Sequence, residues 1–389
     1  NFIKNIVDNS AADLDFNEII TPIFESSDLF KKPLGEHSDV VLKEMYTFQD
    51  KNDSSLTLRP EYTTPIIRAA ISNNLLIKLP VKLYGLGPMF RRERPQKGRY
   101  RQFNQINFEV FGSYDYLVDL ELMVLANDIL KSLLPNNKFK LNLNSLGTKD
   151  NLIKYKTNLS KYFEQKKSQL SEESRNKIDS NPLRILDSKN DDDKEISNTA
   201  PTIMEFLSKE SILHFDEIKK GLKFYNIHFE ENHKLVRGLD YYCGTVFEFK
   251  CDNLGAQDTL LGGGRYDGLI SSLGGPEIPG IGWAAGIERI SMLMELANNN
   301  NTQVHLAITD EKFKPHLQKM IKYMKENQIS FYWNYKFNLK KSLSKANLDN
   351  ANFAIIIGET EFHNNSYTIK NLNTGEQTEL NIDKIKEYL

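Results

Sequence analysis

Val81-Lys82-Leu83-Tyr84-Gly85-Leu86-Gly87-Pro88-Met89-Phe90-Arg91-Arg92-Glu93-Arg94-Pro95-Gln96-Lys97-Gly98-Arg99-Tyr100-Arg101-Gln102-Phe103-Asn104-Gln105-Ile106-Asn107-Phe108-Glu109-Val110-Phe111 reads as two strands, 81–92 and 101–111, around a loop made by Pro95 and Gly98. Strand side chains alternate between faces. Ile106, Phe108 and Val110 therefore share an apolar face, and Gln105, Asn107 and Glu109 share a polar one. A polar face has two explanations: the solvated side of a half-exposed sheet, or the floor of a ligand pocket. The partner strand carries Met89, Arg91 and Glu93 in alternation with Phe90 and Arg92, and the hairpin can bring Arg91 beside Gln105 or Glu109. A carboxylate, an amide and an arginine on one surface suit a zwitterionic ligand that also bears a phosphate.

The same stretch holds the chain's one basic concentration. Between Lys82 and Arg101 stand Lys82, Arg91, Arg92, Arg94, Lys97, Arg99 and Arg101 against the single acid Glu93. The whole chain is nearly neutral, at −2, so any polyanion must be met by local patches such as this one. With 389 residues, 40% hydrophobic and 26% charged, the chain is globular and long enough for two or three domains. No apolar run approaches the roughly 18 residues of a membrane helix. Asp8, Asp13 and Asp15 do not fit a signal peptide. Two cysteines, Cys243 and Cys251, cannot build a disulfide scaffold or a cysteine zinc site, and fit a reducing compartment.

Outward from the hairpin, residues 1–12 read as a helix, 16–20 as a short strand, 45–48 and 56–58 as strands, and 64–73 as a helix with Pro65 in its first turn. A helix is expected at 119–134. From about 148 to 233 the chain turns polar, with helical periodicity, and reads as an inserted helical module. Strand character returns at 235–250, glycine-rich stretches follow at 262–264 and 274–286, and a helix is expected from about Ala285. Beyond a polar linker at 298–302, a β-α-β-α-β alternation predicts a small domain with a partly parallel sheet.

Three further stretches carry chemistry. In Leu58-Arg59-Pro60-Glu61-Tyr62-Thr63-Thr64, Glu61 and Thr63 either cap a helix or capture an ammonium group. In Val236-Arg237-Gly238-Leu239-Asp240-Tyr241-Tyr242-Cys243-Gly244, polar tips are dense on an expected strand, though either tyrosine could be core. In Pro279-Gly280-Ile281-Gly282-Trp283-Ala284-Ala285-Gly286-Ile287-Glu288-Arg289, the glycines miss the dinucleotide fingerprint but leave room for a flat ring, with Arg289 as a clamp. The seven histidines show no metal-ligand spacing, so neither a catalytic histidine nor a structural zinc is expected.

Together these stretches resemble the histidyl-tRNA synthetases, of the class II aminoacyl-tRNA synthetases. Phe90–Arg94 with the loop through Phe103 resembles the second class motif, Gly282–Arg289 the third, and Pro22 the proline of the first. Leu235-Val236-Arg237-Gly238-Leu239-Asp240-Tyr241-Tyr242 and Gly263-Gly264-Arg265-Tyr266-Asp267-Gly268 resemble the family's own signatures. The resemblance implies an α+β fold: an antiparallel sheet flanked by helices (1–148 and 234–298), a helical insertion (149–233) and a C-terminal α/β anticodon-binding domain (303–389). It implies a cytoplasmic homodimer that activates L-histidine with ATP, Mg2+ accompanying the phosphates, and passes the histidyl group to tRNA(His).

By position, Glu61, Thr63 and Gln105 would hold the α-amino group, and Glu109 and Tyr242 the imidazole, with Tyr241 beside them and Tyr266 closing the pocket. Arg91 and Arg237 would be the catalytic arginines on the α-phosphate. Glu93, Arg99 and Arg289 would complete the ATP site, and Arg94, Gln96 and Lys97 would meet the tRNA acceptor end; a mobile ATP loop is the competing view of that segment. In residues 303–389, twelve Lys and no Arg stand against ten acids. Lys336, Lys340, Lys341 and Lys345 there suit either anticodon contact or a solvated helix face. Two departures stand out: Lys32-Pro33, where the family has a basic residue and serine, and Tyr62 at a position usually small. The alternative reading is a catalytically inactive relative that senses histidine or tRNA.

Overall fold

The hairpin forms because its apolar alternation has a partner surface to bury against. Strands Val81–Phe90 and Gln102–Phe111 pair antiparallel, with Leu83 opposite Glu109, Gly87 opposite Gln105 and Phe90 opposite Gln102. This register corrects one expectation. Arg91 lies past the end of the ladder, across from Arg101, and stands beside neither Gln105 nor Glu109 along the strands. The structure, a computed structural model, describes residues 2–389 except 36, 37, 39, 95, 254–257 and 295–302; His37, Pro95 and the polar linker 298–302 thus lie outside the described residues.

The hairpin is the start of an eight-stranded sheet. In spatial order the strands are 17–18, 81–90, 102–111, 280–286, 259–265, 243–250, 140–145 and 229–231. The six central strands are mutually antiparallel and the two edge pairs are parallel. The apolar face of the hairpin meets helix Tyr116–Leu133, whose Leu122, Met123, Ala126, Ile129 and Leu130 are buried against Ile106, Phe108 and Trp283. Phe108 and Trp283 touch at 4.7 Å between ring centroids, and the Trp283 indole N–H donates to the Leu122 carbonyl at 3.1 Å. Each such side chain stabilises the fold by about 1.5–3 kcal/mol. Asp115 caps the helix by accepting from the Leu117 N–H at 2.9 Å.

The polar segment after residue 148 forms helix Lys149–Gln165 and several short helices with their own core, including Leu152, Tyr155, Leu159, Phe163, Ile185 and Ile203. Helix Lys209–Phe224 behaves differently: its Phe215, Ile218 and Leu222 join the core beneath the main sheet. Strand 235–250 is shorter than expected. Only Cys243–Lys250 is extended, and 235–242 is an irregular loop. The last motif is strand Gly280–Gly286 followed by helix Ile287–Leu293, so Arg289 falls in the first helical turn.

The chain divides into two units, Asn1–Glu295 and Leu296–Leu389. In the second, strands Phe331–Trp333, Val304–Ile308 and Phe353–Ile357 are parallel, and Tyr367–Asn371 and Gln377–Leu380 extend the sheet antiparallel. The unbroken apolar run Ala354-Ile355-Ile356-Ile357 suits a strand covered on both faces. Helices Lys314–Glu326 and Leu339–Leu348 complete this partly parallel α/β unit.

Candidate active site

The polar face of strand Gln102–Phe111 points into a cleft. Gln105 and Asn107 line it, together with Glu61, Thr63, Arg91, Glu93, Arg99, Arg237, Tyr241, Tyr242 and Arg289. Residues 61, 91, 105, 237 and 289 are far apart in the chain, and only the completed sheet brings them together. Among the buried polar atoms of the lining, Gln105 Oε1, Asn107 Oδ1 and Arg237 Nε have no hydrogen-bond partner in the protein. Buried polar atoms are nearly always paired, so a cleft that leaves several open is built for a polar ligand.

Neither Glu109 nor Tyr266 lines the cleft itself; Glu109 bonds to Thr63, which does. Glu109 is fully buried, and its carboxyl accepts from the Thr63 hydroxyl at 2.7 Å and from the Tyr266 hydroxyl. Burial pushes it up to about 8; the Tyr266 and Thr63 hydroxyls pull the other way, and the nearby Glu61 charge adds to the rise. Gly282, opposite Glu109 on the neighbouring strand, is required, because a Cβ there would collide with the carboxylate. The phenol on Glu109 is thus that of Tyr266. Tyr242 lies with Tyr241 at 4.7 Å between rings and under Arg237 at 5.7 Å.

Glu61 bears out the capping reading of its motif and also faces the cleft. Its carboxylate caps helix Thr63–Ser72 by accepting from the Thr63 N–H at 2.7 Å and the Thr64 N–H at 3.0 Å, and it also lines the cleft. Burial raises its carboxyl above the usual range, while the Thr64 and Thr63 hydrogen bonds and the Arg91 charge oppose this. Tyr62 is not among the residues that line the cleft; it is buried under the Arg59 guanidinium at 4.1 Å and packs where Gly85 leaves space. Pro33 is buried in helix Asp28–Leu34.

Two arginines from distant stretches of the chain line this cleft. Arg91 is held by its Nε donating to the Pro60 carbonyl at 2.8 Å, with its guanidinium 5.4 Å from the Phe103 ring. Arg237 comes from the loop 235–242 and ion-pairs with Glu248. That loop is pinned from outside: Arg184 donates to the Gly238 carbonyl, Asn181 to Asp240 and Asn144 to the Leu235 carbonyl, each at 3.0 Å. Arg289 donates to the Thr259 carbonyl at 2.9 Å and to Gly98 at 3.2 Å, which ties the hairpin loop to the third motif. Burial, with Arg99 nearby, lowers its basicity. Glu93 and Arg99 pair at 3.0 Å on the same wall. Arg94, Gln96 and Lys97 are exposed and lie off the cleft.

The sequence reading missed Glu248 and Glu288 and gave Asn107 no role. Glu288 accepts from the Asn104 backbone N–H at 2.9 Å and so locks the third motif to the second. Asn107 had a visible signal, its place between Gln105 and Glu109 on the polar face; Glu248 had none. Among the described residues no group of three or more His, Cys, Asp or Glu converges as a metal site, and none of the described helices is long and apolar enough to cross a membrane.

The family model described as Histidyl-tRNA synthetase matches residues 10–290, and that described as Anticodon binding domain matches residues 298–389. A histidine–tRNA ligase of Wolbachia pipientis subsp. Culex pipiens (strain wPip) is 44% identical over 374 residues, covering 96% of this chain and 91% of that protein. One of Ehrlichia chaffeensis is 44% identical over 380 residues, covering 97% and 91%. The crystal structure of apo S. aureus histidyl-tRNA synthetase matches with a TM-score of 0.77 at 33% identity, covering 100% of this chain and 94% of that one. On the fold, the cleft and these likenesses, the chain belongs to the histidyl-tRNA synthetase family.

Proposed function

We propose that the chain is a histidine–tRNA ligase: it joins L-histidine to ATP to give histidyl-adenylate and pyrophosphate, then passes the histidyl group to the 3′ end of tRNA(His). The observation that carries this reading is the cleft itself, which Arg91 and Arg237 line together with Glu61, Thr63 and Gln105, with the buried Glu109 bonded to Thr63 behind its wall. Glu61, Thr63 and Gln105 hold the α-amino group. An imidazole has two ring nitrogens, and Glu109, with Tyr266 and Tyr242 at hand, offers both acceptor and donor groups to match them. A ring that cannot hydrogen-bond would leave this buried set unpaired, which is the origin of selectivity.

The histidine carboxylate oxygen attacks the α-phosphorus as the bond to the pyrophosphate oxygen breaks. Little proton transfer is needed. Arg91 on one side and Arg237 on the other neutralise the charge that builds on the phosphoryl oxygens, and the walls supply alignment. Arg99, Glu93 and Arg289 contact the outer phosphates and adenosine. Mg2+ would be carried by the ATP phosphates and would offset their charge; the carboxylates of Glu93, Glu248 and Glu288 are engaged by Arg99, Arg237 and Asn104.

The exposed Arg94, Gln96 and Lys97 meet the acceptor end, and the 303–389 unit with Lys336, Lys340, Lys341 and Lys345 meets the anticodon. Residues 1–148 and 234–298 belong to the catalytic domain, and of 149–233 helix Lys209–Phe224 and strand Phe229–Glu231 join its core and sheet, which leaves the insertion to the helices before them. A homodimer is supported by the apolar surface of Ile20, Ile23, Phe24 and Phe48, where Ile20 is 79% exposed. The protein works in the cytoplasm. The deciding experiment is ATP–pyrophosphate exchange with each of the twenty amino acids. Stimulation by histidine alone is expected. No stimulation would favour the inactive sensor, and stimulation by another amino acid would contradict the substrate.

A further inference from the structure

The guanidinium of Arg237 does not reach the cleft unaided. It comes from a loop without regular secondary structure, so something outside that loop must fix where its charge sits. Two residues do so, and they are cross-strand partners: Glu248 on strand Cys243–Lys250 pairs directly with Gly262 on strand Thr259–Arg265. Glu248 takes the ion pair from Arg237 Nη1. Gly262 leaves the strand surface bare, and a Cβ there would collide with both Nη1 and Nη2 of Arg237.

The acid is itself held. Lys250 lies 3.6 Å from Glu248 and 3.4 Å from Asp258, so an alternating chain of charge, Asp258–Lys250–Glu248–Arg237, runs to the wall of the cleft. On the third side the Tyr242 ring lies 5.7 Å from the guanidinium carbon. Arg237 Nε stays buried and without a partner. The group is therefore clamped by one terminal nitrogen while part of its donor set stays open.

We infer that Glu248 and Gly262 form a seat for Arg237, with Glu248 as a positioning residue for adenylate formation. The seat holds the guanidinium in place before the nucleotide arrives, so no rearrangement is needed when charge builds on the phosphoryl group. Glu248 touches neither histidine nor ATP; it acts through Arg237. The inference rests on the proposed function above.

The test is single-turnover histidyl-adenylate formation by the full chain and by two variants, Glu248→Gln and Gly262→Ala. The first removes the charge of the seat and keeps its shape; the second displaces the guanidinium and leaves the charge. Each is expected to slow the chemical step by roughly tenfold to a hundredfold, the scale of a lost hydrogen bond to a charged group, with the KM for histidine unchanged. In an Arg237→Ala background neither substitution should slow the step further. A full rate in both variants, or the same loss with Arg237 already removed, overturns the seat, because either result makes Glu248 merely structural. Should Glu248→Gln fail to fold, Gly262→Ala decides alone. The unmodified chain is measured first: its failure to form adenylate contradicts the proposed function, and not the seat alone.

Discussion

The hairpin 81–111 and the loop 235–242 each deliver one arginine to the same cleft, and they do so by opposite means. The hairpin has a ladder of its own, each strand pairing with the other. Its two strands pair over ten residues each, and Arg91 sits where the ladder ends, fastened to the Pro60 carbonyl. The loop has no ladder. Leu235, Gly238 and Asp240 are each held by a residue 54 to 91 positions away, and Arg237 by Glu248. Local order makes one half of the site sturdy, and long-range contacts make the other half depend on the insertion being folded.

The largest break in this comparison is Arg237→Ala. It should cost about 3 kcal/mol or more in the transition state for adenylate formation, more than a hundredfold in kcat/KM. Unaltered pyrophosphate exchange would remove the loop from the mechanism. Glu109→Gln should follow, at about 2 kcal/mol in kcat/KM for histidine, because it alters a buried hydrogen-bonded acid on the hairpin. Its pH dependence has a definite sign. Burial raises Glu109 from 4.5 to about 8, so the folded chain keeps this proton longer than the unfolded one. The associated stability is complete below about pH 4.5 and is lost as pH rises through about 8. The pH profile of kcat/KM for histidine should therefore bend near 8 in the ligand-free enzyme, and the bend should vanish in Glu109→Gln.

Arg184→Ala sharpens the contrast. It removes the hydrogen bond to Gly238 from the insertion side, and should lower kcat by about tenfold with only a smaller rise in the KM for histidine, since Tyr241 and Tyr242 of this loop border the histidine site while Glu61, Thr63 and Gln105 lie outside it. A raised KM with normal kcat would mean that the loop and the hairpin are not separable. The smallest effect belongs to Lys97→Ala on the exposed hairpin tip. A few-fold rise in KM for tRNA, with a salt slope reduced by about 1, would place it on a phosphate; no change would leave the tip to ATP.

The two regions also differ in how far the sequence foretells them. Alternation alone separates Ile106, Phe108 and Val110 from Gln105, Asn107 and Glu109, because a strand has a period of two and one of its faces is buried. The register is not local information, which is why Arg91 lies farther from Glu109 along the ladder than the hairpin suggests. The loop's residues are recognisable as a motif, yet their shape is not, and 235–242 reads as strand until Arg184, Asn181 and Asn144 are in place. Tyr266 as the phenol on Glu109 and Glu248 as the partner of Arg237 become visible only when distant strands pair. The C-terminal alternation of strands and helices was legible as far as Ile357, where each element is set by its own apolar period, and the two antiparallel strands beyond it, Tyr367–Asn371 and Gln377–Leu380, were not read.

The central claim is that Arg91, at the end of the hairpin ladder, and Arg237, in a loop pinned from outside, act on a single phosphorus. A double-substitution cycle tests it most directly, with Arg91→Ala, Arg237→Ala and the pair compared by single-turnover adenylate formation. The account predicts strong non-additivity, the pair losing at least about 1 kcal/mol less than the two single losses together. Losses that add to within about 0.5 kcal/mol would mean that the two guanidiniums work on separate events, and would contradict it.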